Sequence, residues 1–191
     1  IFSHLFVIDP IAWTDSKSYW GTAKQLVDHG FLGEIDTAER AKRPPVLVWV
    51  LAGIYGIFGN RPGIYVEIER FVLLPSTCFL LLESIRILFK STRNQMTLAG
   101  LIVVSYLPPY FLSSVVMTEA LFIFLVALAI YLFSVASDLA QKGKAIPSFY
   151  PVGLGLIIGI ATLTRFYLLY LPILLFIPLF SRKGGLFGRP F

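Results

Sequence analysis

Two long runs without a charged residue constrain this chain more than any other feature of its sequence. Residues 96–116 and 120–137 contain no Asp, Glu, Lys or Arg. A helix of about 20 apolar residues crosses the hydrocarbon core of a bilayer and satisfies its own backbone hydrogen bonds there. The whole chain agrees, because 57% of its 191 residues are hydrophobic and 14% are charged, with a mean hydropathy of +0.78. These values exclude an ordinary soluble domain and predict an all-α fold, a polytopic transmembrane helical bundle.

About five spanning helices are predicted between residues 64 and 181, and they are 64–89, 96–116, 120–137, 145–164 and 166–180. Pro108 and Pro109 are expected to bend or end the second of them. Gly155 and Gly159 have the GxxxG spacing that allows close helix packing, which is a weak signal. Because the chain starts at Ile1 inside an apolar run and stops soon after a helix, we expect a single transmembrane domain, 1–191, from a longer protein.

The long polar passage, residues 13–45, is expected to begin a first outer loop, residues 13–61, that contains interfacial helices. The residues after Asp15 predict a helix with one apolar face, which includes Tyr19 and Trp20, and one polar face. Gly30 is expected to end this helix as its C′ residue. Such an amphipathic helix is typical of the membrane interface. Residues 44–58 are apolar but too few to cross easily. If 44–58 did span, the Asp15 loop would lie on the cytoplasmic side.

If successive spans cross the membrane in opposite directions, the charged residues between them fall on two faces of the membrane. One face is mainly basic, with only Glu83 and Asp138 as acids against Arg86, Lys90, Arg93, Lys142, Lys144, Arg182, Lys183 and Arg189. The positive-inside rule makes that face cytoplasmic. The opposite, outer face collects Asp15, the cluster Arg40, Lys42 and Arg43, Glu119 and Arg165. Carboxylates beside cations at headgroup level suit an enzyme that handles a lipid phosphate.

Several short motifs, in this order, resemble the GT-C glycosyltransferases. They are D-S-x-x-Y-W-x-x-A-x-x-L-x-x-x-G from Asp15, A-K-R-P-P-V-L from Ala41, A-G-I-Y-G-I-F-G from Ala52, M-T-E-A-L-F from Met117 and L-T-R-F from Leu163. The chain is most similar to the branch that contains protein O-mannosyltransferases and lipid A aminoarabinose transferases. Close relatives of the latter often have Lys directly before the prolines, whereas Arg43 stands there in this chain.

The resemblance implies a catalytic pair, Asp15 as general base and Glu119 as support for the acceptor or ligand of a possible divalent cation. It also implies that Lys42, Arg43 and Arg165 bind the phosphate of a polyprenyl-phosphate sugar, and Tyr19 stands with them among the substrate-binding candidates. The implied reaction transfers one sugar with inversion to a lipid, glycan or protein acceptor. We expect it on the outer face of a bacterial plasma membrane, among membrane lipids and without nucleic acid.

Each of these residues has a simpler interpretation. Asp15 could be a helix N-cap, Glu119 could favour a helix dipole, and Lys42 and Arg43 could anchor to headgroups. Tyr19 fits an interfacial aromatic belt, and no metal ligand set emerges from His4 or His29. A transporter or flippase of a lipid-linked or anionic substrate is the main alternative function, and a noncatalytic scaffold is another.

Overall fold

A computed structural model describes residues 9–29, 43–105 and 115–165. These residues form helices and turns, with no strand among them, which confirms the predicted all-α fold. The six helices are α1 (Thr14–His29), α2 (Pro45–Phe58), α3 (Gly63–Phe89), α4 (Arg93–Ser105), α5 (Glu119–Gln141) and α6 (Phe149–Thr164).

Two of the described helices, α3 and α5, are long and apolar enough to cross a membrane. Helices α2 and α6 are apolar but have 14 and 16 residues, which gives lengths of roughly 21 and 24 Å against a hydrocarbon core of about 30 Å. The predicted span 145–164 was therefore wrong at its start. Pro147 disfavours a helical backbone at Ile146, and α6 begins only at Phe149. The predicted span 96–116 is described only as far as Ser105, and residues 166–180 and Gly30 lie outside the described part.

Helix α3 contains a π-helical turn at Glu69–Leu73 that the sequence analysis did not predict. The backbone N–H of Leu74 donates to the carbonyl of Glu69, five residues earlier. Pro75 follows directly, and a proline ring inside a helix clashes with the carbonyl four residues before it. A wider turn at this point relieves that clash, so Pro75 gives the π turn a physical cause.

The helices pack so that α3 and α5 run in the same direction and α6 returns antiparallel to α5. Tyr65 near the start of α3 reaches Met117 just before α5, and a Cβ on Gly153 of α6 would lie 3.6 Å from Leu132 of α5. By contrast, a Cβ on Gly155 or Gly159 would meet nothing within 4 Å. The close packing predicted at that GxxxG pair is thus absent from the described part of the chain.

The main hydrophobic cluster lies at one end of the bundle. It joins α1, α2, the first turn of α3 and the segment before α5, through Tyr19, Trp20, Ala23, Leu47, Val48, Leu51, Ala52, Ile54, Tyr65, Val66 and Val116. We call this end, where α3 and α5 begin and α6 stops, the polar end, because the candidate site lies there. Large exposed apolar side chains such as Phe79, Leu98 and Leu156 suit lipid contact instead.

The opposite end carries the predicted pair of Glu83 and Arg86, which contact each other within α3. A second pair, Asp138 and Lys142, forms at the end of α5. Both pairs are local, since their members are three and four residues apart. Arg86 and Lys142, two of the basic residues assigned to the cytoplasmic face, thus lie at this end of the described bundle.

Candidate functional site

Asp15 lies in the first turn of α1 and not at its N-cap. The N–H of Lys17 donates to the carbonyl of Trp13 at 3.0 Å, and the helix starts at Thr14. Trp13 therefore occupies the N-cap position. The interpretation of Asp15 as an N-cap was therefore wrong. Its carboxylate, with 54% of the side chain exposed, instead forms an ion pair with Arg43, 2.9 Å from Oδ1 to a terminal guanidinium nitrogen.

Arg43 is held against α1 by three different contacts. Besides the Asp15 pair, its Nε donates to Ser18 Oγ at 3.1 Å, and its guanidinium carbon lies 5.0 Å from the centroid of the Tyr19 ring, a cation–π distance. Pro44 and Pro45 follow, and a proline in the first helical turn starts α2 without losing a hydrogen bond. Partial burial acts to lower the pKa of Arg43, but Asp15 and Tyr19 offset this and raise it above its ordinary value. The cation is permanent and oriented.

Tyr19 connects this ion pair to the segment before α5. Its side chain is buried, and burial raises the pKa of the phenol although Arg43 acts in the opposite sense. The hydroxyl also interacts with Thr118, whose own Oγ1 donates to Glu119 Oε2 at 3.4 Å. Tyr19 is therefore a neutral bridge between the two halves of the candidate site.

Glu119 and Arg165 form the second half. Glu119 Oε1 lies 3.1 Å from a terminal nitrogen of Arg165, and their side chains are 16% and 33% exposed. The Arg165 guanidinium also stands 5.9 Å from the Phe122 ring centroid. Because Glu119 is the first residue of α5, its charge also interacts favourably with the helix dipole. Glu119 thus interacts both with the helix dipole, as its simpler interpretation proposed, and with Arg165.

Five of the six predicted site residues meet at the polar end, namely Asp15, Tyr19, Arg43, Glu119 and Arg165. Lys42 lies outside the described residues. The sequence analysis missed Ser18 and Thr118, which hold Arg43 and Glu119. Their spacing was available as a signal, since Ser18 is one helical turn after Asp15 and Thr118 directly precedes Glu119.

A divalent cation does not fit the described residues around Glu119. One carboxylate oxygen is paired with Arg165 and the other accepts from Thr118. Within residues 9–29, 43–105 and 115–165, no group of three or more His, Cys, Asp or Glu could hold a metal ion.

Fold and site together define an all-α membrane protein with two carboxylate–arginine pairs gathered at one end of its bundle. Residues 42–189 match a family model described as dolichyl-phosphate-mannose-protein mannosyltransferase. Since the match covers most of the chain, the protein belongs to this family of glycosyltransferases, and the resemblance seen in the sequence is confirmed. No curated protein and no solved structure matches the chain. The matched range includes Arg43, Glu119 and Arg165 but starts after Asp15 and Tyr19.

Proposed function

We propose that the protein transfers a sugar from a polyprenyl-phosphate donor to an acceptor hydroxyl, with inversion, at the outer face of the membrane. The observation that carries this proposal is the meeting of Asp15–Arg43 and Glu119–Arg165 at one end of the bundle. Those four residues come from four distant segments, so their meeting is a product of the tertiary fold. Membership of a family named for transfer from dolichyl phosphate supports the same donor class.

The two arginines suit the donor phosphate. An Arg fork binds two oxygens of a carboxylate or a phosphate in the same geometry, so a phosphate can replace the carboxylate that each guanidinium now contacts. Arg43 is 23% exposed and fixed by Ser18 and Tyr19, which lowers the entropy lost on binding. Lys42, next in the chain, would add a second positive charge.

Asp15 is the proposed general base. Its carboxylate is the more exposed member of its pair, and it is released when Arg43 turns to the donor phosphate. It then accepts the proton of the acceptor hydroxyl while the new bond from that oxygen to the sugar carbon forms. The sugar–phosphate bond breaks on the opposite side, which inverts the sugar carbon, and the leaving polyprenyl phosphate keeps its charge against Arg43 and Arg165. Glu119 orients the acceptor.

The side of the membrane follows from the charge distribution. Basic residues outnumber acidic ones at the far end of the described bundle, where Glu83 and Asp138 face Arg86, Lys90, Arg93, Lys142 and Lys144. By the positive-inside rule we assign that end to the cytoplasm of a bacterial plasma membrane and the polar end to its outer face, with α1 and α2 in the interface and about five spans. Lipid, glycan and protein hydroxyls remain open as acceptors. The family match favours this transferase over the transporter considered from the sequence.

The test uses the full-length protein in membranes supplied with labelled polyprenyl-phosphate sugars. Asp15→Asn should lower transfer by about a hundred- to ten-thousandfold, because an amide cannot accept the proton. The matched control is Asp138→Asn, which makes the same change in an ion pair at the other end and should keep transfer within about twofold. Normal transfer by Asp15→Asn, or an equal loss in both variants, would overturn the role of Asp15. If wild type transfers no sugar from any polyprenyl-phosphate donor, the proposed donor class is wrong.

A further inference from the structure

Glu69 is a fully buried carboxylate that the proposed reaction does not use. Its side chain is 0% exposed, and neither carboxylate oxygen makes a hydrogen bond of ordinary geometry within the described residues, although the side chain of Tyr65 interacts with it. Leaving a buried polar group without a hydrogen bond destabilises the fold, and a charged group destabilises it more than a neutral one. An ionisable residue inside a membrane-spanning helix is uncommon and marks a functional position more often than a structural one.

The carboxyl of Glu69 interacts with the side chain of Tyr65, one helical turn earlier in α3. Tyr65 is itself buried, and its side chain interacts electrostatically with both Glu69 and Glu119. The Tyr65 hydroxyl donates to the carbonyl of Met117 at 3.3 Å. Tyr65 therefore links the buried carboxyl to the short turn that delivers Thr118 and Glu119 to the site.

The π turn starts at Glu69, and this gives the position a second distinguishing feature. Its carbonyl accepts from Leu74, while its N–H donates to the carbonyls of Tyr65 and Val66. Single π turns occur frequently at functional sites, because the wider turn re-aims a side chain. Here Tyr65 and Glu69, one helical turn apart, are both buried, and both interact electrostatically with Glu119.

We propose that Glu69 is a positioning residue that acts through Tyr65 on the turn 117–119 and so fixes the Glu119 carboxylate. The catalytic part of this inference rests on the proposed function. The hydrogen bond from Tyr65 fixes the Met117 carbonyl at the start of this turn, so the start of the turn can shift when Tyr65 loses support. A shift of about 1 Å at a catalytic group can cost about a hundredfold in rate.

The first test measures kcat and KM for transfer in four variants of the full-length protein. Glu69→Leu and Tyr65→Phe should lower kcat about ten- to a hundredfold and raise the donor KM at most about threefold, since Arg43 is untouched and only Arg165 pairs with Glu119. Glu69→Gln should restore kcat to within about threefold, because an amide keeps a hydrogen-bonding group beside Tyr65. Glu67→Gln is the matched control, as it makes the same change at an exposed position two residues away. Wild-type kcat in Glu69→Leu, or a loss in Glu67→Gln as large as in Glu69→Leu, would overturn the proposal.

A double-mutant cycle separates positioning from a general structural role. In a Glu119→Gln background, Glu69→Leu should cause no further loss of kcat, because coupled residues are not additive. An independent, full additional loss in that background would show that Glu69 does not act through Glu119. A role in stability alone would reduce the amount of folded protein and leave the kcat of the folded fraction unchanged, which would also overturn the proposal.

The second test does not need transferase activity, so it distinguishes failure of the inference from failure of the proposed function. On a Cys78→Ser background, which removes the chain's only cysteine, Glu119→Cys is labelled with a membrane-impermeant thiol reagent. Adding Glu69→Leu or Tyr65→Phe should raise the labelling rate several-fold as the turn loosens, and adding Glu67→Gln should not. Equal rates in all of these proteins would overturn the inference even if wild type transfers sugar.

Discussion

The two ends of the bundle both carry ion pairs, but the pairs join different kinds of residues. At the far end, Glu83 contacts Arg86 and Asp138 contacts Lys142, each within one helix. Such pairs form wherever the helix forms and contribute a few tenths of a kcal/mol. At the polar end, by contrast, Asp15 meets Arg43 and Glu119 meets Arg165 across 28 and 46 positions of sequence. Only pairs of the second kind depend on the tertiary fold.

Apolar packing differs in the same way. The polar end has the continuous cluster around Leu51 and Tyr65, while side chains such as Leu98 are well exposed in the described structure. A site that must hold charged groups in fixed positions needs rigid support. The comparison indicates that the cluster around Leu51 is that support, and that the exposed apolar faces meet lipid.

The largest expected difference between the two ends concerns their arginines. Arg43→Ala should lower sugar transfer at least about a hundredfold, because it removes the proposed phosphate ligand and leaves Asp15 without its partner. Arg86→Ala should stay within about twofold. Arg43→Lys should recover only part of the activity, since an ammonium lacks the planar fork. Transfer assays at matched expression measure these effects. Equal losses from Arg43→Ala and Arg86→Ala would mean that the two ends do not differ in their importance for transfer.

A smaller difference is expected from one substitution made in two environments. Leu51, 0% exposed, and Leu98, 60% exposed, can both be changed to Ala. Leu51→Ala should lower the free energy of unfolding by about 2–5 kcal/mol, because a cavity remains in a packed cluster. Leu98→Ala should cost less than about 1 kcal/mol, since lipid fills the space of the lost side chain. Thermal unfolding in detergent or nanodiscs measures both, and similar values would mean that Leu98 is also packed in the folded protein.

The smallest expected effect is a pH dependence confined to the polar end. Burial raises the pKa of Tyr19 above its ordinary value of 10.0, so the neutral phenol is favoured in the folded state. The resulting stability is fully present below pH 10 and is lost as the pH rises through the folded pKa. Wild type should therefore lose stability above pH 10 more steeply than Tyr19→Phe. Parallel curves for the two proteins would mean that the Tyr19 phenol ionises as easily in the folded state as in the unfolded one.

The helices could be predicted well from the sequence because their signals are local. Apolar runs and flanking charges gave 64–89 for a helix observed at Gly63–Phe89, and Pro44–Pro45 marked the start of α2. Helices that cross a membrane in alternate directions leave few possible arrangements of their ends. The sequence therefore predicted correctly which ends of the helices lie near each other. The meeting of Asp15, Arg43, Glu119 and Arg165 followed from that arrangement.

The rest depends on distances and rotations that no local pattern encodes. The Trp20 indole donates to Asn60 Oδ1 at 2.8 Å, yet nothing in either motif indicates the other. Glu69 was not singled out from the sequence, which showed its charge but not its burial in the folded bundle.

That π turn also affects how this helix should be compared between relatives. Buried residues Tyr65, Glu69, Leu73 and Thr77 recur every four positions, a spacing that drifts by about 40° per step around a regular α-helix. The wider turn absorbs this drift and keeps all four on one face. A relative with an unbroken α-helix here would reach the same face with one residue fewer. Its correct alignment with this chain would then place a single-residue gap in the middle of a membrane span, where gaps are ordinarily forbidden.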